Sequence, residues 1–202
     1  MYKLNVVDVI LRRFREPRKR IQVVVGPRQV GKTTSVEQAL AEYSGGYTYK
    51  LAEGLGLSPL DWLISEWNVA RAKAKVEGEY LLVIGEIHKI KGWSAVVKRL
   101  WDEDSFNHVE LKVCILGSSR LLLQKGLDES LAGRFEMIDV WHWSFADMHA
   151  AFGYSLEEYI LFGGYPGAAD LRGDEGRWKQ YVRDAIIEPS ITLDILQLET
   201  VA

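Results

Sequence analysis

One octapeptide constrains this chain more than any other stretch. Gly26-Pro27-Arg28-Gln29-Val30-Gly31-Lys32-Thr33 follows the apolar run Ile21 to Val25 and precedes a helix-compatible run, Thr34 to Tyr43. It satisfies the pattern G-x-x-x-x-G-K-[ST], the loop that cradles phosphates between a strand and a helix. The residue types follow from the task. Gly26 and Gly31 let the backbone turn tightly and approach an oxyanion without a side chain intervening. Backbone N–H groups of Pro27 to Thr34 other than the proline's then line a concavity, to which the following helix adds partial positive charge. Lys32 would neutralise β- and γ-phosphates, and the Thr33 hydroxyl would reach a magnesium ion. A chain built around this loop is expected to bind a nucleotide and to place the loop on a parallel sheet.

The rest of the sequence has the corresponding alternation. Tyr47 to Leu51, Tyr80 to Ile84, Leu111 to Leu116 and a segment around Met137 to Val140 read as strands. Helical patterns separate them, including a short one around Leu121 to Leu123. Such alternation implies βαβ units and a mainly parallel α/β sheet of about five strands. Tyr47 to Leu51 alternates aromatic and polar residues, as an edge strand would, whereas Tyr80 to Ile84 suits burial on both faces. An N-terminal helix is expected to bury Val6, Val9, Ile10 and Phe14 and to end at Pro17. A second starts at Ser58 and Pro59 and stops at Gly78. From Ser144 onward the pattern turns helical, with Gly163 to Gly167 as a turn. The expected organisation is a nucleotide-binding domain over 1–143, its first 20 residues a helix and basic lead-in, and a lid-like helical segment over 144–202.

Composition narrows the remaining classes. A net charge of −3 over 202 residues argues against a protein that coats nucleic acid along its whole surface. Locally, Arg12, Arg13, Arg15, Arg18, Lys19 and Arg20 form a basic cluster, which is either a solvated face or a contact for DNA or a protein partner. The single cysteine, Cys114, lies in an apolar strand and reads as a small buried hydrophobe. The four histidines lack metal-ligand spacing, and His88, two residues after Glu86, reads as a surface histidine at a helix start. No apolar run approaches a membrane span, so a soluble, cytoplasmic protein without a membrane partner is expected.

The loop, the run Leu81-Leu82-Val83-Ile84-Gly85-Glu86-Ile87-His88 and Leu116-Gly117-Ser118-Ser119 together resemble an ATPase of the AAA-related P-loop class. More narrowly, the loop, the Trp93 helix, Leu131-Ala132-Gly133-Arg134 and Phe162-Gly163-Gly164-Tyr165-Pro166 resemble a family of prokaryotic ATP-binding proteins. Members carry an AAA-like domain followed by a C-terminal domain of nuclease-like character, so this chain is expected to be truncated or to lack that domain. The resemblance implies ATP and Mg²⁺ as ligands, with the guanine-selective Asn-Lys-x-Asp pattern absent. It implies that Glu86 orients or deprotonates the attacking water and that Ser118 or Ser119 senses the γ-phosphate. Arg134 matches an arginine finger, which would act in a neighbouring subunit's site and so implies a homo-oligomer. Where the family has Asp before the glutamate, this chain has Gly85. The missing carboxylate normally steadies a water on Mg²⁺ beside Thr33, so nucleotide binding is expected to outlast efficient hydrolysis. Two further readings stay open: a nucleotide-dependent DNA- or protein-binding module with little turnover, and a small phosphotransferase, for which Arg172, Arg177 and Arg183 do not specify a lid.

Overall fold

The computed structural model describes residues 2–53, 58–117, 127, 130–189 and 192. Among them, five strands form one sheet: β1 (Ile21–Val25), β2 (Tyr47–Leu51), β3 (Tyr80–Gly85), β4 (Leu111–Leu116) and β5 (Phe135–Asp139). The order is β2-β3-β4-β1-β5, and every pairing is parallel. This is the α/β arrangement that the alternation of elements implied. β1, β3 and β4 are buried at every position, while β2, at the edge, is half exposed. The short Tyr47–Leu51 strand therefore lies where its mixed composition pointed. The last strand begins two residues earlier than the apolar pattern suggested, because Phe135 and Glu136 pair with Ile21 and Gln22.

Side-chain alternation sends two apolar sets to opposite faces. Ile21, Val23, Val25, Leu82 and Ile84 join a core covered by α3 (Pro59–Glu77) and α4 (Trp93–Phe106). Val24, Leu81, Val83 and Cys114 join one covered by α1 (Asn5–Arg15) and α2 (Lys32–Ala41). The helices α3 and α4 are clasped by Asp104, which is 1 % exposed and accepts from Trp67 Nε1 at 2.7 Å and from Arg71 Nε. The buried stripe of α1 is Val7, Ile10, Leu11 and Phe14, with the expected Val6 and Val9 only at its margin. Val7, Ile10, Leu11 and Phe14 run i, i+3, i+4, i+7, whereas Val6, Val9, Ile10 and Phe14 run i, i+3, i+4, i+8, and docking against α2 selects the set that contains Leu11.

Beyond β5, α5 (Phe145–Phe152) and α6 (Leu156–Phe162) each start with a serine capping box, at Ser144 and Ser155. A 3₁₀ segment (Pro166–Leu171), α7 (Glu175–Tyr181) and a π-helical turn (Val182–Ile187) follow. Met148, Tyr154, Phe162 and Ala169 give this part its own small core. No helix among the described residues is long and apolar enough to cross a membrane.

Candidate functional site

Strand β1 ends at Val25 and α2 begins at Lys32, so the glycine-rich loop sits at the C-terminal edge of the sheet, where ligands of open α/β folds bind. Gly26 has φ of +156°, and a Cβ there would lie 2.0 Å from the Val140 carbonyl oxygen. That close approach exists because Val140 N donates to Val25 O at 2.8 Å, which continues the β1–β5 ladder into the loop. Gly31, at φ +89°, caps α2. Gln29 also holds a positive φ, +60°, and its side chain is secured from outside the loop. Its amide donates to Ala185 O at 3.3 Å, and its carbonyl accepts from the Tyr181 hydroxyl. Trp143 Nε1 donates to Val30 O at 3.0 Å. The loop is thus braced on one side by the segment after β5 and on the other by the C-terminal turn.

Lys32 is buried, and its ammonium donates to the carbonyls of Gly26 (3.0 Å) and Pro27 (2.5 Å). Its charge therefore sits within the ring of the loop, at the positive end of α2. The cleft in front, about 400 Å³, is lined by Arg28, Gln29, Lys32, Thr33, Thr34 and Glu86 among others, with Ala185 and Pro189 closing one side. Its size lies within the ordinary range of small-molecule sites, and its donors are those an oligophosphate requires.

Glu86 stands just past β3 with φ of +56°. Its carboxylate lies 3.7 Å from both His88 Nε2 and Lys89 Nζ, and Lys89 also pairs with Glu53 at 2.5 Å. The His88 side chain is only 8 % exposed, so the expectation of a surface histidine is overturned. The tight turn Ile87–Lys89 folds the ring inward onto Glu86. At Gly85, a Cβ would meet Leu51 Cδ2 at 2.6 Å and the Tyr49 hydroxyl at 3.1 Å, so neighbours fill the space where the family's aspartate would stand. Tyr49 was not among the residues singled out in the sequence. Its sequence signal, an aromatic in an edge strand, became specific only through pairing with β3.

Other residues fall elsewhere. Arg134 precedes β5 at the opposite end of the sheet from the loop, and its backbone carbonyl accepts from Ile21 N. Its guanidinium grips Asp102 through two bonds, 2.7 and 3.0 Å, and does not join Lys32, Thr33 and Glu86. Ser118, Ser119 and the segment Leu121 to Leu123 lie outside the described residues. The basic cluster is largely committed to the fold. Arg18 lies 3.6 Å over the Trp101 ring and donates to Leu111 O, Trp101 O and Ser105 Oγ. Arg13 pairs with Glu16 and Glu136, Arg20 with Glu136, and Arg15 donates to Glu42 O. Arg12 and Lys19 remain exposed. Cys114 is fully buried, and desolvation pushes its thiol pKa up, as suits a structural side chain.

A family model described as an AAA domain matches residues 18–149. The chain belongs to the AAA-domain family. Membership brings nucleotide binding and ATPase activity in general, with Mg²⁺ the usual companion and oligomerisation frequent. The matched segment contains the AAA loop, Glu86 and Arg134. No curated protein matches the chain.

Proposed function

We propose that this AAA protein binds ATP with Mg²⁺ at the Gly26–Thr34 loop, hydrolyses it slowly, and converts nucleotide state into a conformational or assembly change. The observation that carries the reading is the Lys32 ammonium, buried at the N-terminus of α2 and bonded to the carbonyls of Gly26 and Pro27. Backbone N–H groups of the loop and Lys32 would take the phosphates, and the Thr33 hydroxyl would hold the metal. When bound, Mg²⁺ would neutralise charge on the β- and γ-phosphate oxygens. Glu86 orients the attacking water once its carboxylate turns from His88 and Lys89. The absence of a carboxylate at Gly85 favours slow turnover, so a nucleotide-controlled binding module is the second reading.

The segment 144–189 serves as a lid, since Ala185 and Pro189 line the cleft and Gln29 is tied to Tyr181 and Ala185. Arg134 acts, if it reaches phosphate, only in a neighbouring copy's site and only after leaving Asp102.

Isothermal titration of ATP into wild type and Lys32→Ala tests the reading. Loss of charge-assisted bonds worth about 1.5–3 kcal/mol weakens binding by roughly ten- to 150-fold. Equal affinity in the two proteins would overturn it.

A further inference from the structure

Strands β2 and β3 pair with Tyr49 opposite Val83 and Leu51 opposite Gly85. Alternation puts Tyr49, Leu51, Val83 and Gly85 on one face of the sheet, and Val83 and Tyr49 pack into the core beneath α2. A Cβ at position 85 would lie 3.1 Å from the Tyr49 hydroxyl, which itself meets Thr33 at the start of α2, so that position is near Thr33. Glycine supplies no side chain there. Leu51 Cδ2 and the Tyr49 hydroxyl border that space, 2.6 and 3.1 Å from where the Cβ would be, and the hydroxyl is its polar neighbour. The Tyr49 oxygen is buried, meets the Thr33 hydroxyl, and has no other hydrogen-bond partner among the described residues. Burial raises the phenol's pKa and Glu37 and Glu86 push the same way, against the lowering effect of the hydrogen bond with Thr33. A buried hydroxyl whose bonding is incomplete is costly, and such groups cluster where a ligand or ion completes them.

We propose that Tyr49 completes the Mg²⁺ site, its phenol oxygen serving in place of the carboxylate that Gly85 lacks. The inference rests on the nucleotide reading above. If the Thr33 hydroxyl turns a lone pair to a cation, its hydrogen needs an acceptor. In the family pattern, the aspartate before the glutamate supplies one. The phenol oxygen has two lone pairs, enough for the Thr33 hydrogen and for one from a metal-bound water. It brings no negative charge, so it steadies the ion less than a carboxylate does. Tyr49 is thus a positioning residue supplied by the edge strand, one strand away from its usual source.

The test is ATP affinity by titration calorimetry, measured in Mg²⁺ and again in EDTA, for wild type, Tyr49→Phe, Gly85→Asp, the double variant and Lys32→Ala. Tyr49→Phe is expected to match wild type in EDTA and to lose roughly three- to tenfold of the gain that Mg²⁺ gives. Its melting temperature without nucleotide falls by no more than roughly 2–4 °C, the loss of the single bond to Thr33. In the Gly85→Asp background the same change costs little, since the new carboxylate takes over, and the two substitutions are non-additive. Leu51, half exposed, can move aside to admit the aspartate. An identical Mg²⁺ gain in wild type and Tyr49→Phe would overturn the proposal. So would equal weakening of Tyr49→Phe with and without Mg²⁺, which marks a packing role. Failure of the nucleotide reading looks different: wild type and Lys32→Ala would bind ATP alike.

Discussion

Replacing Asp104 with alanine removes the clasp between α3 and α4, and its cost can be worked out from the contacts. The carboxylate, 1 % exposed, accepts from Trp67 Nε1 at 2.7 Å and from Arg71 Nε. Trp67 is itself fully buried, so its indole N–H would lose its bond with no solvent nearby. Arg71, whose side chain is 19 % exposed, keeps weaker contacts to Glu103 Oε2 and Leu100 O, both at 3.3 Å. Breaking one partner out of a buried ion pair costs about 3–5 kcal/mol, and the contacts left to Arg71 place Asp104→Ala near the lower end. For a chain of this length, that corresponds to a fall in melting temperature of roughly 6–12 °C. Asp104→Asn keeps an acceptor for Trp67 and is expected to lose about half as much. Urea and thermal unfolding without nucleotide measure both variants, and Trp67→Phe in the Asp104→Ala background separates the two bonds. A destabilisation by Asp104→Ala below about 0.5 kcal/mol, the scale of ordinary surface changes, would refute the reasoning.

Two further outcomes follow from the same geometry. Gly26→Ala forces a methyl to within 2.0 Å of Val140 O, so it should both lower stability by about 2 kcal/mol or more and abolish ATP binding, as read by melting with and without nucleotide. Burial raises the pKa of Asp147, but hydrogen bonds from Ser144 and Tyr2 outweigh it, leaving the folded carboxyl below its usual value. A depressed carboxyl stabilises the fold above the unfolded pKa, near 3.9, and loses that contribution as pH falls through the folded value. Wild type should therefore lose stability relative to Asp147→Asn on acidification below about pH 4, and parallel pH profiles of unfolding would contradict this.

The phosphate loop was legible because its chemistry requires a contiguous segment: two glycines, a lysine and a threonine at fixed spacing between a strand and a helix. Glu86 was legible for a related reason, since it directly follows a strand whose unbroken apolar run marks it as central. The basic cluster was not. Charge alone could not reveal that Trp101 and the carbonyls of α4 and β4 receive Arg18, or that Glu136 meets both Arg13 and Arg20. Nor could it show His88 turned inward or Arg134 held by Asp102, because each depends on a neighbour far away in the chain or on a backbone turn.

Sequence by itself determined the α/β class and the place of the glycine-rich loop between β1 and α2, since periodicity and the loop pattern are local properties of the chain. It also displayed the gap at Gly85. Only the tertiary structure decided what stands in that gap. The parallel register of β2 against β3 brings Leu51 and Tyr49, the latter 36 positions earlier, against the place where a Cβ at position 85 would be, and strand pairing of that kind is written in no local pattern.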